Sequence, residues 1–132
     1  MIGILDYGMG NLSSVYNSLD YLGFETKIVK NSDEIEELTH LIVPGVGSFS
    51  KAMSNLEERN LIPAIMNHID SGKPYLGICL GMQLLADKSY EKGIFQGLGW
   101  IEGSIQKLEV GNLKLPHMGW NNVVIKKNNH MI

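Results

Sequence analysis

The chain has 132 residues, of which 44% are hydrophobic and 19% charged, with a formal net charge of −3. That is enough for one domain with a real core and too little for two, and the acidic balance offers no field for nucleic acid or an anionic membrane. One cysteine, Cys79, permits no internal disulfide, no apolar run approaches a membrane span, and no basic region leads a long apolar stretch at the N-terminus; a reducing, cytoplasmic setting is expected.

Residues 1–5 are a short apolar run of strand formers that breaks at Asp6-Tyr7-Gly8-Met9-Gly10-Asn11, which predicts a buried strand and a Gly-rich turn. Leu12, Val15, Tyr16, Leu19 and Leu22 then recur at helical spacing, predicting a helix over 12–23 with Asn11 as N-cap and Gly23 as terminator. Gly8-Met9-Gly10 is part of a dinucleotide-binding fingerprint, but position 13 is Ser where the third glycine belongs. No cofactor is expected there.

Residues 26–30 read as a second strand, and 31–38 as a short helix whose acidic residues form a solvated face. Leu41-Ile42-Val43 is continuously apolar, as a central parallel strand should be, and stops at Pro44-Gly45-Val46-Gly47-Ser48-Phe49. The two glycines permit positive φ around Val46, so this turn is able to aim N–H groups at an anion or a developing oxyanion. Taken alone, it reads more simply as a plain strand-to-helix turn.

Two helical pieces follow, 49–59 and 61–70, interrupted by Pro63 and carrying apolar faces that include Leu56, Leu61, Ile65 and Ile69. His68 reads as structural. Gly72 ends that helix, a strand runs to Cys79, and Met82, Leu84, Leu85 and Ala86 predict a helix behind it. The alternation βαβαβαβα predicts an α/β fold, a doubly wound and mostly parallel sheet. Residues 6–11, residues 44–49 and Cys79 should then meet beyond the carboxyl ends of its strands. After Tyr90 frequent glycines break the chain, and 104–108, 113–115 and 122–126 read as short strands of a C-terminal hairpin and loop region.

The most informative stretch is Gly77-Ile78-Cys79-Leu80-Gly81. Glycines two residues before and after Cys79 fit the nucleophile elbow G-x-[nucleophile]-x-G, a tight strand-to-helix turn that excludes Cβ atoms on both sides. A thiol there projects from the sheet's carboxyl edge at a helix N-terminus, where free N–H groups and the helix dipole favour an anion. The competing reading is a buried, inert cysteine; the local pattern favours the nucleophile.

Gly77-Ile78-Cys79-Leu80-Gly81-Met82-Gln83, together with Pro44-Gly45-Val46-Gly47-Ser48-Phe49, resembles the class I (triad) glutamine amidotransferases. Within that family, Asp6-Tyr7-Gly8-Met9-Gly10-Asn11-Leu12 and Pro116-His117-Met118-Gly119-Trp120-Asn121 are similar to the glutaminase subunit of imidazole glycerol phosphate synthase, from histidine biosynthesis. The resemblance implies that Cys79 attacks the carboxamide of glutamine to give a thioester and ammonia. It implies an oxyanion hole made by the N–H of Leu80 and an N–H of the Gly45-Val46-Gly47 turn, with Gly47 and Gln83 contacting bound glutamine. It also implies delivery of ammonia to a (β/α)8-barrel cyclase subunit, with Asn11 and Trp120 at or near that interface, and no metal or cofactor.

The family pattern includes a catalytic His followed two residues later by Glu, beyond the Pro116 to Asn121 motif. No His-x-Glu occurs here: His117 precedes Met118-Gly119 and His130 precedes Met131-Ile132. The chain is therefore expected to be a single amidotransferase domain over 1–132, incomplete at its C-terminus and inactive alone. His117 is expected to be structural or partner-facing. Two alternatives stay open: a paralogous amidotransferase feeding ammonia to surface-sugar synthesis, and a non-catalytic module that kept the partner surface.

Overall fold

In the computed structural model, which describes residues 1–126, the apolar runs pair as a parallel sheet. Its strands are β1 (Ile2–Leu5), β2 (Thr26–Val29), β3 (His40–Gly45) and β4 (Tyr75–Cys79), in the order β2-β1-β3-β4. The connections are helices, as parallel pairing requires: α1 (Leu12–Tyr21), α2 (Ser32–Glu36), α3 (Phe49–Glu58) and α4 (Ile62–Asp70). Asn11 caps α1 by accepting from the Ser14 N–H at 3.2 Å, as expected. Pro63 lies at the start of α4, where its missing N–H costs nothing, so the break between the two helices falls before it, at residues 59–61.

The strands' alternation divides the sheet into unequal faces. Leu41 and Val43 point with Leu5 and Val29 into the core shared with α2, α3 and α4, where Leu38, Phe49, Leu56, Leu61 and Ile65 are buried. Leu76 and Ile78 align with Ile42 and Pro44 on the opposite face, and remain 39% and 38% exposed. Only a loose groove separates them from Val15 and Leu19 of α1, which buries none of its residues completely.

Three expectations need correction. Strand β3 does not stop at Pro44 but runs through Gly45, pairing with Ile78 and Cys79; beyond Ile42 it pairs only with β4, which leaves room for a residue without an N–H. The helix after Cys79 is one turn, α5 (Leu80–Gln83), and Ala86 opens strand β5 (Ala86–Ser89) instead of continuing it. The cause is competition for carbonyls: Leu98 N–H donates to Leu84 at 2.8 Å and Trp100 N–H to Leu85 at 2.8 Å. Finally, 113–115 and 122–126 form no strand. The second sheet instead joins β5 to antiparallel β6 (Phe95–Gln96) and parallel β7 (Ile101–Ile105), so only two residues of the expected 104–108 strand are extended. Without a ladder partner, apolar residues such as Leu113, Val123 and Val124 stay exposed. His130 lies outside the described residues.

Candidate active site

Cys79 ends β4 and immediately precedes α5, with φ 56° and ψ −112°. A non-glycine residue rarely adopts a positive φ, and holding one there costs roughly 1–3 kcal/mol that the surrounding packing must overcome. The flanking glycines show how the chain reverses so tightly. A Cβ on Gly77 would lie 2.5 Å from Met82 N and Cα, and one on Gly81 would overlap the main-chain carbonyl of Val43. The strand and the helix touch backbone to backbone, and the thiol is turned outward, exposed. Because α5 has only four residues, its contribution at Cys79 is that of one turn of free N–H groups and not of a long dipole.

The thiol opens on a cleft of about 560 Å³ whose lining brings together four residues singled out from the sequence: Gly47, Cys79, Leu80 and Gln83. Gly45 is not part of the free turn. It is the last residue of β3, buried and in register with Cys79, so the turn begins at the exposed Val46. Gly47 has φ 102°, and the Val46 and Gly47 N–H groups donate to no other described residue. The first Gly-rich turn supports this edge from behind. A Cβ on Gly10 would meet the Pro44 carbonyl oxygen at 2.9 Å, and one on Gly47 would meet the Met9 methyl at 2.9 Å. Residues 6–11, the 44–49 segment and Cys79 thus converge as expected.

Two tyrosines underlie the elbow. Tyr75 donates from its hydroxyl to the Gly81 carbonyl at 2.9 Å. Tyr7 is fully buried, and its hydroxyl lies against Gly45 without a hydrogen-bond partner among the described residues. Burial, and secondarily the negative charge of Cys79, pushes the Tyr7 phenol up to about 12. Burial and then Tyr7 push Tyr75 up as well. Both are neutral around neutral pH.

The cleft also contains groups that pattern reading passed over: Glu91, Lys92 and Lys107. Glu91 accepts from the Phe49 N–H at 2.9 Å, a contact across 42 residues that no local motif announces. The other expected residues lie elsewhere. Asn11 is spent on its cap, Trp120 is fully exposed, and neither lines the cleft. No histidine among the described residues lines it either. His40 begins β3, His68 is buried with Nε2 donating to the Pro74 carbonyl at 3.0 Å, and His117 is exposed beside Asn121.

Comparison with known proteins agrees with this geometry. The family model described as glutamine amidotransferase class-I matches residues 3–132. The imidazole glycerol phosphate synthase subunit HisH of Aquifex aeolicus is 48% identical over 130 residues, covering 98% of this chain and 62% of the relative. Its counterpart in Caldanaerobacter subterraneus is 50% identical over 127 residues, covering 96% and 62%. In Bacillus cereus the figures are 52% over 121 residues, 92% and 57%. The chain thus spans about 57–62% of the length of these relatives. Among solved structures, a crystal structure of a glutamine amidotransferase superposes with a TM-score of 0.67 at 26% identity, covering 78% of this chain and 54% of that one. A peptidase E protein from Listeria monocytogenes shares the fold, with a TM-score of 0.61 at 12% identity, covering 76% and 62%. The chain belongs to the class I glutamine amidotransferase family.

Proposed function

We propose that the chain, with 1–132 forming one domain, carries the nucleophile of the glutaminase subunit of imidazole glycerol phosphate synthase. The observation that carries this reading is Cys79 at φ 56°, exposed on a cleft that also holds Gly47, Leu80 and Gln83. The names of the relatives in Aquifex, Caldanaerobacter and Bacillus support the choice of pathway. Glutamine's free amino acid end needs both a carboxylate and a cation, and Glu91 with Lys92 or Lys107 supply them in this cleft. Gln83 offers the amide that pairs with the polar end of the substrate.

The Cys79 thiolate attacks the carboxamide carbon; a C–S bond forms and the carbonyl oxygen becomes an oxyanion facing the N–H groups of Leu80 and of Val46 or Gly47. The C–N bond then breaks, ammonia leaves with the proton it gains, and water cleaves the thioester to glutamate, restoring the thiolate. Moving those protons needs an acid-base group. The resemblance assigns it to a His-x-Glu pair, so the 132 residues alone turn over glutamine at a trace rate. Ammonia passes to a (β/α)8-barrel cyclase subunit in a heterodimer, docked near Asn11 and Trp120, in a reducing cytoplasmic setting.

The reading is tested by glutamate release from glutamine when the chain is combined with the cyclase subunit and with the His-Glu-bearing C-terminal segment of a relative. Release that depends on all three components and on Cys79 is expected. Release that survives Cys79→Ser contradicts the proposal.

A further inference from the structure

Helix α3 starts directly behind the turn that faces Cys79, and its first N–H groups need acceptors. Ser48 occupies the N-cap position, yet it makes no side-chain cap hydrogen bond and the first turn of α3 holds no acidic residue. The acceptor comes from the loop that follows β5: Glu91 Oε2 receives the Phe49 N–H at 2.9 Å. Glu91 is itself anchored. Its N–H donates to Ser89 Oγ at 3.1 Å, Ser89 is fully buried at the end of β5, and the adjacent Tyr90 N–H donates to the Ile105 carbonyl of β7 at 2.9 Å.

The Phe49 N–H belongs to the peptide plane between Ser48 and Phe49, two planes on from the one that carries the Gly47 N–H. The buried Phe49 ring fixes where α3 begins, while the carboxylate fixes how that plane is turned. Upstream, β3 ends at Gly45, so Val46, Gly47 and Ser48 hang between one strand end and one carboxylate. Gly47 at φ 102° has no side chain with which to hold itself.

We propose that Glu91 is a positioning residue: by capping α3 from the loop between β5 and β6 it holds the 46–48 turn so that its N–H groups face Cys79. This role rests on Cys79 being the nucleophile, and it is separate from any contact of Glu91 with a ligand ammonium. The acceptor atom matters for it, not the charge, so Gln at position 91 serves and Ala does not. A cap acceptor supplied locally at position 48 also serves.

The test acylates the whole 132-residue chain with p-nitrophenyl acetate and reads the burst of p-nitrophenolate. The thiolate adds to the ester carbonyl, the C–S bond forms through an oxyanion, and the C–O bond breaks with p-nitrophenolate taking the electron pair. The reagent has no ammonium and needs no histidine. Alkylation by iodoacetamide, a direct displacement with no oxyanion, is the parallel readout. We expect Glu91→Ala to slow acylation about tenfold or more, Glu91→Gln to stay within about threefold, and Ser48→Asp added to Glu91→Ala to restore most of the loss. Alkylation stays unchanged in all three. Wild-type acylation by Glu91→Ala overturns the proposal, as does an equal loss of acylation and alkylation, or failure of Ser48→Asp to restore. A full burst from Cys79→Ser instead overturns the nucleophile reading beneath it.

Discussion

Gly81 lies so close to the main-chain carbonyl of Val43 that a Cβ would occupy the oxygen's place. The contact is between two backbones, α5 and β3, and neither has a flexible side chain to yield. Gly81→Ala should therefore cost about 3 kcal/mol or more, at the upper end of overpacking penalties, as read from the urea midpoint. A loss under about 1 kcal/mol would mean that the elbow opens easily and that the close approach does not shape it.

Cys79 stores strain that glycine would release. With φ at 56° and ψ at −112°, Cys79→Gly should raise stability by about 1 kcal/mol, net of the extra freedom glycine gives the unfolded chain. Thermal unfolding of the two proteins measures it. A destabilised Cys79→Gly protein would show that thiol packing, not backbone geometry, dominates at this position.

Tyr7 presents the opposite situation, an unpartnered hydroxyl in a fully buried site. Replacing it with Phe removes the oxygen and keeps the ring, so Tyr7→Phe should be neutral or stabilising by up to about 1 kcal/mol. A loss of about 2 kcal/mol or more in the urea midpoint would reveal a hydrogen bond made by that hydroxyl in solution.

His68 gives the fold a pH dependence with a definite sign. Burial is the largest influence and holds its imidazole below the ordinary value; the charges of Lys73 and His40 act in the same direction, and the hydrogen bond to Pro74 acts against them. The unfolded chain therefore takes up a proton before the folded one does. The contribution is complete above about pH 6.5, the unfolded value, and is lost as pH falls from there toward the lower folded value. His68→Gln should flatten the stability profile across that window. An unchanged slope would place the titration on another group.

The elbow was legible because its spacing is a packing requirement: Gly77 and Gly81 are small for reasons that lie within five residues of Cys79. Strands β1 and β3 were legible for a similar reason, since each carries a continuous apolar run that is largely buried, whereas β2 and β4 are covered mainly on one face. Ala86-Asp87-Lys88-Ser89 has no strand pattern at all, and becomes β5 because distant N–H groups claim the carbonyls before it. Residues 113–115 failed in the reverse way, with the right composition and no partner. Glu91 escaped notice because its cap reaches across 42 residues to Phe49, a distance that no local pattern spans. Leu12, Val15 and Leu19 gave α1 its correct position, but how little of that helix is buried depends on the half-covered sheet face beneath it.

The most direct test of the account is to treat the chain with a chloroketone analogue of glutamine and map the adduct by mass spectrometry. The account predicts a single adduct on Cys79 that forms more slowly in excess glutamine and is absent from Cys79→Ser. Labelling at another residue, or labelling of Cys79 at a rate indifferent to glutamine, would contradict it.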